Sequence, residues 1–308
     1  MDFTKLVHQY LEFCEHQKRL DQKTLKAYRI DLIQFTVFLG TCRESLYKEK
    51  ISLYIQELHH NHKPKTVKRK IASIRAFFNY LEFEEIITPN PINKIHLEFR
   101  EPLTLPKFLS LKTVHQFLKT ANTHMSEKTT DFQRNMRLRN LAVLELLFAT
   151  GLRVSELCSL RHNDINLRSG EIRILGKGSR ERMVYVGNTE SLAILKQYEK
   201  AFAPMIEATS WFFINRLGKR LSEQSVRNMV KDYTEKALIQ EHVTPHMFRH
   251  TFATLLLEED VDIRYIQDIL GHSSITTTQI YTHVSQNKQR NILKKKHPRN
   301  KISCPQIT

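Results

Sequence analysis

TPHMFRHTFATLLLEEDVDIRYIQDILGHSSITTTQIY, residues 244–281, sets His246, Arg249, His272 and Tyr281 at spacings that let one phosphate meet all four. Thr244 and Pro245 predict a helix start, because a threonine hydroxyl can cap free amides and proline fits the first helical position without losing a hydrogen bond. His246 and Arg249 then share one face of the first turn. That turn is the positive end of the helix dipole, a good place for an anion. Leu255 to Leu257 are expected to carry the helix into the core. A second helix, from about Asp262 to Leu270, should end at Gly271, the residue best suited to a left-handed C-terminus. His272 follows at once, and Ser274 offers a cap for a third segment bearing Tyr281.

Working outward, the 308 residues allow two domains, and no apolar run approaches the roughly 20 residues of a membrane span. The first residues, MDFTKLVHQYLEFCEHQ, mix acidic with apolar side chains and show no secretory cleavage pattern. A cytoplasmic protein without membrane contact is expected. Cys14, Cys42, Cys158 and Cys304 form no CxxC pair, so reduced thiols are expected rather than disulfides or a zinc knuckle. A net charge of +16 and a pI near 9.7 call for an anionic partner, and nucleic acid is the commonest. Residues 1–105 hold 17 basic and 13 acidic residues; residues 106–308 hold 31 and 19, so the second part carries most of the excess.

The first hundred residues read as four amphipathic helices making a small bundle. Leu6, Val7, Tyr10 and Leu11 mark the first; Leu25, Tyr28, Leu32, Phe35 and Leu39 follow a polar start at Asp21 to Thr24; Ile51, Tyr54, Ile55 and Leu58 mark the third. The fourth begins near Pro64, with Val67, Ile71, Ile74, Phe77, Phe78 and Leu81 in one stripe. Its other face shows Lys63, Lys65, Lys68, Arg69, Lys70 and Arg75, either a solvated surface or a contact for a DNA backbone. Four prolines between Ile87 and Pro106 predict an extended linker.

Beyond it, Ser110 and Thr113 open a helix with Val114, Phe117 and Leu118, and residues 121–136 read as a polar loop. LRNLAVLELLFATGL is a buried apolar helix closing at Gly151. Arg153 comes directly after, where it needs a carboxylate or a bound anion; Glu156 is the nearest carboxylate. EIRILGKGSRERMVYV reads as a hairpin, with Ile172 and Ile174 before the turn and Met183, Tyr185 and Val186 after it. Lys177 stands at the tip between two glycines, either merely solvated or aimed at a substrate docked on the sheet. WFFIN is strand-like and precedes a turn at Leu217, Gly218 and Lys219; a helix follows from Ser222 to about Leu238. Between Lys288 and Lys301 there are seven basic residues and no acid, a basic tail that suits DNA contact or docking onto a neighbouring subunit.

Singly these residues say little; in order they say more. TGLRVSEL, GKGSRERMVYV, HMFRHTFAT and LGHSSITTTQIY together resemble the tyrosine site-specific recombinases, the phage integrase family, and within it the Xer branch. TLKAYRIDLIQF, PKTVKRKIASIRAFFNYLE, NPI, LPKFLS and HPR extend the likeness over nearly the whole chain. The resemblance implies a mainly α fold: an N-terminal four-helix core-DNA-binding domain over 1–86, a linker over 87–106, and a larger helical catalytic domain with a small antiparallel β-sheet over 107–287. The two domains together would form a C-shaped clamp on duplex DNA, with a basic tail over 288–308 following them.

By motif, Tyr281 matches the nucleophile that forms a 3′-phosphotyrosyl bond, His246 the general base and Lys177 the general acid on the leaving 5′-oxygen. Arg153 and Arg249 match the arginine clamp on the non-bridging oxygens, His272 a further donor, and Glu156 a supporting acid that orients Arg153. Lys65, Lys68, Arg69 and Arg75 are candidate DNA contacts. The implied chemistry needs no metal and no nucleotide cofactor, since the cations stabilise the transition state and the covalent bond conserves the phosphodiester's energy. The implied assembly is four protomers, of one or two kinds, on two double-stranded sites, exchanging strands through a Holliday junction. That activity serves chromosome dimer resolution as well as mobile-element integration and excision.

Three rival readings are set against it. A type IB topoisomerase-like nicking-closing enzyme would use related tyrosine chemistry, and a catalytically silent DNA-binding protein would keep the residues without the reaction. A metal-dependent hydrolase would use His246 and His250, but Met247 stands where an HExxH site has its glutamate.

Overall fold

A computed structural model describes residues 2–40, 47–95, 107–123, 130–176 and 181–271. It divides into two compact units, residues 1–103 and 104–308.

In the first unit, helices α1 (Phe3–His16), α2 (Gln22–Leu39), α3 (Tyr47–Asn61) and α4 (Pro64–Phe83) form at the predicted places. Local chemistry sets their starts. The Asp2 carboxylate accepts from the Thr4 and Lys5 amides, Asp21 accepts from Thr24, and Pro64 occupies the first turn of α4. Their apolar stripes meet in a core rich in aromatic rings, with Phe3, Tyr10, Phe35, Phe77 and Phe78 buried.

Two expectations fail here. Lys70 does not lie on the exposed face of α4: its ammonium is buried against Asp31, 3.3 Å from Oδ1, and also bonds Gln34. Arg69 pairs with the same carboxylate, and Ser73 Oγ donates to it at 3.0 Å. A fully buried carboxylate needs such partners, so Asp31 draws Lys70 into the core and holds the exposed Arg69 at its edge. Nor is the stretch after Ile86 wholly an extended linker. Ile87 and Ile92 enter the bundle core, Pro91–Lys94 forms a 3-10 turn capped by Asn90, and the Asn90 amide donates to Asn79 and Glu82. Buried isoleucines and a satisfied asparagine outweigh the prolines. Residues 96–106 lie outside the described residues.

In the second unit, α6 (Asp131–Thr150) runs through the middle of the core, buried through Leu141, Ala142, Val143, Leu144, Leu146 and Leu147. Around it pack α5 (Leu111–Thr123), α8 (Thr189–Thr209), α9 (Glu223–Lys236) and α10 (Pro245–Glu258). Short α7 (Val154–Cys158) and α11 (Ile263–Leu270) complete the described helices. Residues 121–136 were expected as a loop, yet α5 covers 121–123 and α6 begins at Asp131. Thr130 and Gln133 form a reciprocal capping box that starts α6 earlier than its apolar run.

Strands β1 (Ile165–Asn166), β2 (Glu171–Leu175) and β3 (Glu181–Tyr185) make one antiparallel sheet in that order. The hairpin is as expected, but its second strand has the opposite phase. Val184, opposite Ile172, is the buried residue, while Met183 and Tyr185 are 45% and 60% exposed. WFFIN is no strand of this sheet; it holds isolated bridges at Trp211 and Ile214, and Tyr198 pins it by donating to the Phe212 carbonyl at 2.8 Å and accepting from the Ile214 amide at 3.1 Å. No described helix is long and apolar enough to cross a membrane.

Candidate active site

The apolar helix α6 ends at Gly151, whose φ of +61° is the left-handed turn that glycine adopts without Cβ strain. A Cβ there would lie 2.7 Å from the Phe252 ring, so α10 packs against the bare backbone. The turn delivers Arg153 to the start of α7, its side chain 36% exposed.

Arg249 comes to the same place from α10. Its guanidinium is buried and donates to the Gly151 carbonyl at 2.8 Å through Nη1 and to the Leu270 carbonyl at 2.6 Å through Nη2. Arg153 Nη1 also approaches the Leu270 carbonyl, at 3.5 Å, and Nη2 donates to the Gly271 carbonyl at 3.2 Å. Two cations therefore meet at the C-terminal end of α11, where unsatisfied carbonyls and the dipole favour positive charge. Gly271, at φ +63°, closes α11 as expected, and Asp262 caps its start.

Glu156 lies beneath this pair, 7% exposed. It accepts from the Arg153 amide at 2.9 Å and from Arg153 Nη1 at 2.7 Å, so the carboxylate partner anticipated from spacing is present. A second arginine that the sequence reading did not single out shares it: Arg182 donates Nη1 to Oε1 at 3.0 Å and Nη2 to Oε2 at 2.9 Å. The signal was available in the strand. Arg182 alternates with buried Val184 on the inward face of β3, where period two calls for an apolar side chain. Burial pushes the Glu156 carboxyl up, but the bonds from Arg182 and Arg153 together hold it below its ordinary value.

His246 is exposed in the first turn of α10, and His250, one turn on, is more enclosed. Burial first, then the charges of His246 and Arg249, bring the His250 pKa down to about 4. No group of three His, Cys, Asp or Glu side chains able to hold a metal ion occurs among the described residues. Thr244 makes no side-chain cap bond to α10, contrary to expectation; Pro245 does occupy the first turn. Leu255 to Leu257 are only partly buried, with Leu256 and Leu257 packing on a small cluster of Ala253, Ile266 and Leu270. The structure thus brings together Arg153, Glu156, Arg249 and the end of α11. Lys177, His272, Tyr281 and the basic tail lie outside the described residues. In the first unit, Lys65, Lys68, Arg69 and Arg75 are exposed, Arg69 with its ion pair to Asp31.

A helical unit followed in the chain by a helical unit with one small antiparallel sheet is the architecture of the tyrosine recombinase class. The chain belongs to the phage integrase family: residues 107–288 match that family and residues 7–85 match the phage integrase N-terminal SAM-like domain. A tyrosine recombinase of Agathobacter rectalis is 53% identical over 296 residues, 95% of this chain and 96% of that protein. Tyrosine recombinase XerD of Listeria innocua is 34% identical, over 96% of this chain and 99% of its own. Among solved structures, the XerH site-specific recombinase in a pre-cleavage complex with its difH substrate has the same fold. It superposes with a TM-score of 0.71 at 21% identity, covering 94% of this chain and 84% of that one.

Proposed function

We propose that Tyr281 is the nucleophile with which this site-specific recombinase cuts and rejoins DNA, and that Arg153 and Arg249 hold the scissile phosphate for it. The observation that carries this reading is the meeting of both guanidiniums at the Leu270 carbonyl, one residue short of Gly271 and two short of His272. Guanidinium suits the task because its planar fork binds phosphate bidentately and keeps its charge through the reaction.

In the proposed step the Tyr281 oxygen bonds to phosphorus and the bond to the 5′-oxygen breaks. A phenol of ordinary pKa is phenolate in only about one molecule in a thousand at neutral pH, so His246 takes its proton. Lys177 gives a proton to the leaving 5′-oxygen, and His272 donates to the phosphate. The 3′-phosphotyrosyl bond keeps the phosphodiester's energy, and attack by a 5′-hydroxyl from a partner duplex reverses the step with a new strand. Two rounds on four protomers pass through a Holliday junction. Double-stranded DNA is the partner this implies, in the cytoplasm. Residues 1–86, through Lys65, Lys68, Arg69 and Arg75, would grip the core site, residues 107–287 would carry the chemistry, and residues 288–308 would dock on DNA or on a neighbouring subunit.

The test begins with duplexes enriched from a randomised pool by the full-length Tyr281→Phe protein, then nicked singly at each position across the bound site. Unmodified protein should be trapped as a covalent protein–DNA adduct on one of them, and Tyr281→Phe should give none. An undiminished adduct from Tyr281→Phe would overturn the assignment.

A further inference from the structure

Arg182 occupies a strand position that its neighbours mark as core. It faces inward on β3 opposite Ile174, in line with buried Val184, and is only 13% exposed. Burying a guanidinium costs several kcal/mol unless its donors are met. Here all three nitrogens are met, Nη1 and Nη2 by the two oxygens of Glu156 and Nε by the Ile269 carbonyl at 2.9 Å.

The division of Glu156 between two arginines is asymmetric. Arg182 presents the parallel fork, one nitrogen to each oxygen, while the Arg153 side chain touches Glu156 through Nη1 alone and sends Nη2 to the Gly271 carbonyl. A lone arginine three residues from a buried glutamate would gain most by taking both oxygens itself. Arg182 fills that geometry, and Arg153 remains turned toward the end of α11. Arg182 also reaches the backbone there: a Cβ on Gly271 would lie 2.9 Å from its Nη1 and 3.0 Å from its Cδ and Cζ. One side chain thus joins the sheet, the start of α7 and the last turn of α11.

We infer that Arg182 is a positioning residue for DNA cleavage, holding Glu156 and, through it, the Arg153 guanidinium against the C-terminal end of α11. The inference rests on the proposed role of Arg153 and extends it to a residue that need not touch DNA.

Full-length Arg182→Met, Arg182→Lys, Glu156→Gln and the double variant Glu156→Gln/Arg182→Met test it on the nicked duplexes described above. Thermal unfolding, affinity for the duplex and the single-turnover rate of adduct formation are each measured. Arg182→Met should slow adduct formation by about 100-fold, the scale of a slightly misplaced catalytic group, with duplex affinity little changed. Arg182→Lys, which keeps the charge without the fork, should recover part of the rate. The double variant should be no slower than Arg182→Met, because Arg182 acts through Glu156.

Should Arg182→Met fail to fold, Arg182→Lys and the charge-neutral double variant carry the comparison. Wild-type cleavage by Arg182→Met or by Arg182→Lys, single losses that multiply in the double variant, or affinity lost in step with cleavage would each overturn the inference. Failure of the unmodified protein to form any adduct is a different result: it overturns the recombinase mechanism itself, and this inference with it.

Discussion

At Glu156 a carboxylate stands where burial disfavours its charge, and two arginines more than restore it. Since its pKa is lowered in the folded chain, its contribution to stability is fully present above the ordinary value of 4.5 and is lost as pH falls through the folded value. Glu156→Gln should therefore cost about 3 kcal/mol at neutral pH, the scale for breaking a buried ion pair. Urea unfolding should show the gap from wild type narrowing below the ordinary value; a gap that stays constant would mean the carboxylate is not held by the arginines. Cys14 and Cys158 illustrate the opposite case, burial that outweighs the cations nearby, Lys18 for the first and Arg220 and Arg227 for the second. Both thiols are pushed up, Cys158 to about 12, so neither should be thiolate at mildly alkaline pH. Peptide mapping after iodoacetamide should find both unmodified until denaturant is added, and alkylation of either in the folded protein would contradict their burial. Lys70 could not be placed from its neighbours, because what draws it inward is Asp31, 39 residues away. Arg182 is similar: the strand was read in the opposite phase, through Met183 and Tyr185, and only the fold turns Arg182 inward onto Glu156, 26 residues away.

Among elements, most helices were legible from an apolar period and a polar or proline start, with or without a cap bond. Helix α8 escaped notice although Asn188 caps it, accepting from the Ser191 amide at 2.9 Å. Its buried residues, Leu195, Tyr198, Phe202 and Ile206, are spaced by polar ones, and Pro204 inside the helix reads as a breaker. WFFIN was half legible: its β-forming residues are buried against Tyr198 and pair only at isolated bridges, Trp211 with Arg161 and Ile214 with Arg220. The caps themselves give a prediction. Ser222 accepts from the Ser225 amide at the start of α9, whereas Thr244 makes no such bond at the start of α10. Ser222→Ala should cost about 1 kcal/mol, and Thr244→Ala measurably less, by chemical denaturation. Equal losses would show that Thr244 caps after all.

For the whole molecule, each unit has its own hydrophobic core, and the positive charge is carried by both parts of the chain. If the excess faces DNA, neutralising phosphates releases counterions, and the logarithm of affinity falls linearly with the logarithm of salt concentration. For roughly six to ten phosphate contacts the loss is roughly 10³- to 10⁵-fold between about 50 and about 200 mM salt. Fluorescence anisotropy with the enriched duplex should give such a slope, and a flat response would place the surplus cations away from DNA.

The amino-acid order alone determined the four-helix start, the buried helix closing at Gly151, the hairpin and the family, because these depend on periodicity, capping and motif spacing within short stretches. It also singled out Arg153, Glu156 and Arg249. Only the tertiary structure decided that Arg153 and Arg249 share the carbonyls at the end of α11, that Arg182 completes the Glu156 pair, and that Asp31 draws Arg69 and Lys70 to itself. Buried charges choose partners by distance through space, and residues 21 to 118 positions apart leave no local pattern for such a choice.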